Sequence, residues 1–194
     1  MSSGDAARSA EGEGSHKAAT RRPATLQEAR ALAHPLRLRI LRLCLDRSLT
    51  NGELAAALER RPATVLHHVR MLLSSGFLSE EAWRSGPRGS TEKPYRATGK
   101  SARLDLGLTG EAASLHRAML AAVAAEIEEA GPDAVIESAR LPMRLTSDQV
   151  EEVTLRINAL LDSYRRPEEY LGSDPAAGEP YAILLVFHRR SLPG

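Results

Sequence analysis

Small, polar and basic side chains between residues 60 and 74 could contact the bases and phosphates of a DNA duplex. Val65, Val69 and Leu72 recur at the spacing of one buried helix face, so the other side chains of that helix point away from the core. An α-helix fits the major groove, where hydroxyl and imidazole groups can bond base edges and a small side chain can touch a thymine methyl. The residues predicted to face the groove are Ala63, Thr64, His67 and Arg70, of which Arg70 suits a phosphate. Leu66 is predicted to lie on the flank of this face.

Further cations lie where they could reach the phosphates of the same duplex. Arg60 and Arg61 precede the helix, whose N-terminus itself favours a phosphate. A later loop contains Arg84, Arg88 and Lys93, which would suit the DNA backbone or the adjacent minor groove. Each of these side chains alone would be an ordinary solvated cation. Their convergence on one helix, its preceding turn and one loop predicts a DNA-binding surface.

Two short helices with a tight connection must position these side chains. Thr50 and Glu53 form the capping box that opens the first helix. The second helix begins at Pro62, a residue suited to a first helical turn, and Gly76 ends it. Only residues 59–61 separate the two helices, and a connection this short is what a helix-turn-helix requires.

The flanking segments complete a winged helix. Amphipathic patterns predict helices from residue 25 and from Pro35 onward. After residue 76 the apolar period falls to two, and two such runs flank a loop that contains Gly, Pro and Ser, which predicts a β-hairpin. Residues 25–100 are therefore predicted to form a winged helix-turn-helix, in a chain of the α+β class that is mainly α with a small β content.

Residues 1–24 are rich in Ser, Gly and Ala and are predicted to be a disordered tail, because they offer too little apolar surface to offset ordering entropy. Arg21 and Arg22 could make its end a basic arm on DNA, but a solvated tail is the simpler interpretation.

Residues 101–194 are predicted to form a region for dimerisation and for a small-molecule effector. Helices are expected at 109–130 and after Thr146, which forms a capping box with Gln149. Residues 141–145 and 182–187 are predicted to be antiparallel strands, with an effector pocket between them and the helices. The apolar surface of the helices exceeds what one winged helix can cover, so we expect a homodimer, with help from residues 26–32.

Composition narrows the class of protein. The 194 residues carry a formal net charge of +1, so the distribution of charge rather than its sum must indicate the partner. The single cysteine, Cys44, lies among apolar residues and is expected to be a buried, inert thiol. The absence of a long apolar run and of a signal sequence predicts a cytoplasmic protein without a membrane segment.

Catalytic and metal-binding patterns are weak. His67 and His68 are adjacent, so they point about 100° apart on a helix and cannot chelate one ion together. A metal site that joins His116 and His188 with acidic residues across a dimer is a minor alternative. Glu126, Glu128 and Glu129 are expected to be a solvated helix face. The loop at 86–91 lacks the lysine position and frame of a phosphate loop. No enzyme, cofactor or metal is expected.

Two segments resemble regulators of the ArsR type, which have a winged helix. Residues 31–41, Ala-Leu-Ala-His-Pro-Leu-Arg-Leu-Arg-Ile-Leu, are similar to the opening of that family, and residues 64–69 with 76–78 are similar to its recognition helix and the exit into the wing. The resemblance implies dimers that bind operator DNA, usually as repressors, and groove-facing positions at 62–64, 66, 67 and 70. Metal-sensing members have cysteines near the segment that is 49–55 here, which has none, so a branch without that metal site is implied.

Two classes of function follow. The first is a transcription factor that reads an operator sequence, and the second is a protein-interaction module that keeps the winged helix as a docking surface. The basic turn and wing favour the first, because a docking surface should instead expose apolar or acidic residues.

Overall fold

The computed structural model of the chain describes residues 21–86, 89, 91–106, 112–164 and 179–189. Within them, the helices are α1 (Leu26–Leu32), α2 (Pro35–Asp46), α3 (Asn51–Ala57), α4 (Pro62–Ser74), α5 (Ala112–Ala130) and α6 (Ser147–Tyr164). The strands are β1 (Arg22–Pro23), β2 (Leu49–Thr50), β3 (Leu78–Glu80), β4 (Arg84–Ser85), β5 (Thr91–Glu92), β6 (Pro94–Ala97) and β7 (Leu104–Asp105). The order of elements and their pairing give a winged helix-turn-helix of the predicted α+β class.

Polar caps fix where the first three helices begin. Thr25 forms a capping box with Glu28 at the start of α1. Thr50 forms the predicted capping box with Glu53 at the start of α3. The His34 imidazole accepts a backbone N–H in the first turn of α2 at 3.2 Å. Each cap satisfies N–H groups that a helix leaves without an internal partner, so the helices begin at defined residues.

The predicted core stripe of α4 is confirmed, because Val65, Val69 and Leu72 are each 0% exposed. Gly76 adopts a φ of +70°, and its N–H and that of Phe77 bond back to carbonyls at the end of α4 at 3.0 and 2.9 Å. This left-handed cap is the ending that glycine accommodates without strain. It turns the chain so that Phe77, which is 1% exposed, enters the core beneath the wing.

The wing is a hairpin that grows out of a three-stranded sheet. β6 lies between β2 and β3 and is antiparallel to both, with Tyr95 opposite Leu49 on one side and Glu80 on the other. Beyond β3, β4 pairs with β5 near the tip, with Arg84 opposite Glu92. The predicted hairpin is therefore confirmed, and β2 anchors it to the segment that opens α3.

The predicted tail 1–24 extends too far. Arg22 and Pro23 form β1, which pairs in parallel with β7, and the Arg22 guanidinium bonds the Glu28 carboxylate at 2.6 and 2.9 Å. Lys100 adds a second cation at 2.8 Å, and these bonds hold the pKa of buried Glu28 well below its usual range. The buried Glu28 carboxylate therefore holds the short basic segment in place, and the composition of residues 1–24 does not reveal such a contact. Residues 1–20 lie outside the described residues.

The winged helix also continues past the predicted boundary at residue 100. Helix α5 packs against α1 and α2, and Leu115, Ala118 and Ala122 are buried there. Part of the apolar stripe that predicted dimerisation is thus covered by the chain itself. Leu120 and Ile127 stay 50% and 42% exposed.

Helix α6 belongs to a separate structural unit. Thr146 and Gln149 make the predicted capping box, with bonds of 3.0 and 3.3 Å. No residue of α6 is buried, and its exposed apolar side chains include Leu155, Leu160 and Tyr164. Most of the stability of a helix comes from packing of its apolar face, and within the described residues that face of α6 is not buried.

The two predicted C-terminal strands are wrong. Residues 141–145 and 182–187 form no strand. Most of their apolar side chains are exposed to solvent, with Leu141 72% and Ile183 75% exposed. Alternating or continuous apolar residues favour strands only where a partner completes the ladder and covers a face, and an isolated two-stranded pair is marginal in water. The effector pocket predicted against this sheet therefore has no sheet to line it.

Candidate nucleic-acid interface

The outward face of α4 is as predicted. Ala63, Thr64, His67 and Arg70 are exposed, and Leu66 is half-buried on the flank. Helix α4 contains no acidic residue, so nothing on it would repel a phosphate. The orientation of these side chains is confirmed, and their contact with DNA stays a prediction.

A pair of histidines whose rings pack at a tilt of 42° joins α4 to the start of α2. His68 is 8% exposed and its ring lies 4.4 Å from that of His34, measured between centroids. Among the described residues, His68 Nδ1 has no hydrogen-bond partner. Burial first, and then the nearby charges of His34, Arg37 and His67, lower the pKa of His68 to about 4. His68 is therefore a neutral packing residue that fixes the rotation of α4, and this leaves His67 facing outward.

The turn before α4 is held by contacts that sequence patterns did not reveal. The Asn51 side-chain amide donates to the Pro62 carbonyl at 3.0 Å, which joins the first residues of α3 and α4. Glu59 adopts a φ of +51°, a left-handed conformation that is costly for most residues but that shortens the turn. Arg60 and Arg61 are exposed there, and Arg61 caps α4 with extended backbone but without a side-chain bond.

The wing cations are partly neutralised within the chain. Arg84 pairs with Glu53 of α3, and Lys93 pairs with Glu80 of β3. All four side chains are partly exposed, so these ion pairs are weak and phosphate can compete for the cations. Arg88, the remaining predicted wing cation, lies outside the described residues.

Two aromatic residues of the wing hairpin lie near the predicted cation Lys93 but were not among the predicted site residues. Tyr95 is 7% exposed, and its pKa is raised by burial and by Glu80, while Lys93 and Arg70 oppose that rise. Trp83 is 62% exposed, with the Lys93 ammonium 5.1 Å from its ring centroid. A lone tryptophan in an otherwise polar hairpin was the signal that could have found this position.

The residues considered for catalysis or metal binding have structural roles or none. Cys44 is 0% exposed, and burial raises the pKa of its thiol to about 12, which leaves it protonated and unreactive. In the described ranges no three His, Cys, Asp or Glu residues gather as a metal site. The acidic end of α5 is not a simple solvated face, because Glu129 pairs with Arg39 of α2, and burial raises the pKa of Glu126.

Across the part of the chain that the structure describes, no helix is both long and apolar enough to cross a membrane.

Comparison with known proteins gives a family match for one segment of the chain. No curated protein matches the chain. Among solved structures, a double mutant of ZitR from Lactococcus lactis shares 17% identity over 67% of this chain and 74% of that chain, with a TM-score of 0.30. A mutant of MepR from a multidrug-resistant S. aureus clinical isolate shares 15% identity over 70% of this chain and 79% of that chain, with a TM-score of 0.26. Residues 32–81, which contain α2, α3, α4 and β3, match the family model of a helix-turn-helix domain.

Proposed function

We propose that this protein is a dimeric regulator of transcription, without enzymatic activity, that binds operator DNA through its winged helix. The observation that carries the proposal is the division of α4 into two faces. One face supplies the core of the domain, and the other presents exposed polar and basic side chains with no carboxylate on the helix. A helix anchored in this way can enter a major groove as a rigid body.

Each groove-facing side chain has a role that its chemistry supports. Thr64 and His67 would bond base edges, and Ala63 would contact a thymine methyl. Arg70 would bind phosphate, as would Arg60 and Arg61 beside the N-terminus of the helix. Leu66, half-buried on the flank, would meet the edge of the groove through its exposed part.

The wing would dock on the DNA backbone or in the adjacent minor groove. Arg84 and Lys93 would exchange their carboxylate partners for phosphates, and Arg88 would add a third contact. The exchange costs little because half-exposed ion pairs contribute at most about 1 kcal/mol each. Glu53 would keep its capping-box bond from the Thr50 backbone N–H, and Glu80 would return to water.

A gel shift on genomic fragments at increasing salt tests the proposal. Specific binding should survive competitor DNA and should weaken steeply as salt rises, because each phosphate contact releases counterions. A winged helix used only for protein docking would show no shift at any salt concentration. Such a result would reject DNA binding and leave the protein-interaction alternative.

Arg70→Ala should weaken binding to operator and to random DNA alike. Arg70 is exposed on α4, and the loss of one phosphate contact should lower the slope of log K against log salt by about one unit. Fluorescence anisotropy of labelled duplexes at four salt concentrations measures the slope. Arg117→Ala, an exposed arginine on α5, is the control and should leave the slope unchanged. An altered sequence preference at constant slope would mean that Arg70 reads a base.

The proposed dimer uses the apolar side chains that the chain leaves open. Leu120 and Ile127 remain exposed on α5, and Leu26 of α1 is 47% exposed. On α6, Val150 and Leu160 lie in the predicted stripe and are 40% and 60% exposed. A second copy would cover such faces and would place two recognition helices on two half-sites of one operator.

Leu160→Asp should shift the protein from dimer toward monomer, because it places a charge in the proposed apolar interface. Sedimentation velocity at micromolar concentration measures the change against the unaltered chain. Asn158→Asp is the matched control, since it adds the same charge on the opposite side of α6 and should leave the dimer intact. A monomer for the unaltered chain would refute the dimer itself.

Repression is the proposed outcome of binding, since a dimer on a promoter excludes polymerase. The proposed location of the protein is the cytoplasm. A reporter under the mapped operator should be expressed more strongly when the protein is absent. Lower expression in its absence would instead indicate an activator. A small-molecule effector would be detected as a compound that releases bound DNA from the protein.

A further inference from the structure

Trp83, the sole tryptophan of the chain, lies between β3 and β4 and is 62% exposed. A large aromatic side chain left in water gains more than most residues from covering, which is why tryptophan is enriched at binding hot spots. We infer that Trp83 packs against the sugar–phosphate backbone of bound duplex DNA and donates its indole N–H to a phosphate oxygen. This inference rests on the proposed function.

Lys93 makes the position suited to a phosphate. Its ammonium lies 5.1 Å from the Trp83 ring centroid, and it also pairs with Glu80. The lysine thus holds a positive charge beside an indole donor, and a phosphate that meets both gains a charge-assisted contact and a hydrogen bond. The Lys93 and Glu80 side chains are 29% and 45% exposed, so water weakens their ion pair and a phosphate can replace it.

The lysine beside Trp83 also acts on Tyr95, as does one arginine of α4. Arg70 from α4 and Lys93 from the wing both act electrostatically on Tyr95, whose ladder partner is Glu80. Two cations adjoin Trp83 itself, since Arg84 follows it in the chain and the Lys93 ammonium lies 5.1 Å from its ring centroid. Both pair with partly exposed carboxylates that the phosphates of a polyanion can replace.

Because Trp83 is the sole tryptophan, intrinsic fluorescence reports directly on its environment. Titration with operator duplex should change its emission and should reduce quenching by acrylamide, a neutral quencher that DNA does not repel. Anisotropy of labelled DNA in the same samples shows whether the duplex binds. Bound DNA with unchanged acrylamide access would overturn the inference and leave the proposed function standing, whereas no binding would reject the proposed function itself. An emission change that depends on protein concentration without DNA would overturn the inference in favour of self-association.

Variants give a second, independent measurement. Trp83→Ala should raise the Kd for operator and random duplexes alike by about tenfold, because the contact is to the backbone. Trp83→Phe keeps an aromatic ring but loses the N–H donor, so its Kd should lie between that of the unaltered chain and that of Trp83→Ala. Tyr181→Ala is the control, since Tyr181 is 63% exposed and lies outside the wing. Affinities within twofold of the unaltered chain for Trp83→Ala, with its fold confirmed by circular dichroism, would overturn the inference.

Discussion

His67→Ala is expected to weaken operator binding by about 1–3 kcal/mol, roughly fivefold to 150-fold in Kd, while thermal stability is unchanged. The imidazole is exposed on α4, so its removal opens no cavity in the core. Binding to random DNA should change much less, because a contact to a base edge carries the sequence preference. Anisotropy on operator and scrambled duplexes, together with a melting curve, separates the two effects.

His68→Ala should behave in the opposite way. His68 is 8% exposed and packs against the His34 ring, so truncation removes packing between α4 and the start of α2. The melting temperature should fall first, and DNA affinity should fall only as a consequence. His68→Leu keeps most of the volume and removes the unpartnered Nδ1, so it should be better tolerated. A lower melting temperature for His67→Ala and an unchanged one for His68→Ala would contradict the register of α4.

Local signals made the helix-turn-helix predictable. The capping boxes at Thr50 and Thr146 and the glycine end at Gly76 depend on residues within four positions of one another. The stripe of Val65 and Val69 repeats at the period of one helix and met a core large enough to bury it. In these segments local preference and tertiary packing agree, which is why the pattern alone was sufficient.

Long-range partners were not predictable in the same way. The pairing of β1 with β7 joins residues about eighty positions apart through a two-residue strand, too short for a periodic pattern. The carboxylates that pair with Arg84 and Lys93 became visible only once the hairpin had a register. The apolar run at 182–187 has the composition of a strand, but composition does not say whether a partner lies beside it.

The histidine pair also predicts acid sensitivity of the folded state. The pKa of His68 is lowered to about 4 by burial and by the charges of His34, Arg37 and His67, and the pKa of His34 is lowered as well. The ordinary histidine pKa is 6.5, so between pH 6.5 and 4 the unfolded chain binds a proton that the folded chain refuses. Stability should therefore be fully present above pH 7 and should fall as the pH drops through this window.

We expect the free energy of unfolding to be lower at pH 5 than at pH 7.5 by about 2 kcal/mol from His68, with a further loss from His34 in the same direction. Urea titration at both pH values measures the difference. Glu28 should contribute little at pH 5, because a lowered carboxylate pKa costs stability only as the pH falls below the ordinary value of 4.5. His68→Leu is the matched control, since it removes the titrating group and should make unfolding less dependent on pH. An unaltered chain that is equally stable at pH 5 and pH 7.5 would mean that His68 accepts its proton in the folded state, and its contact with His34 would then not be a buried neutral one.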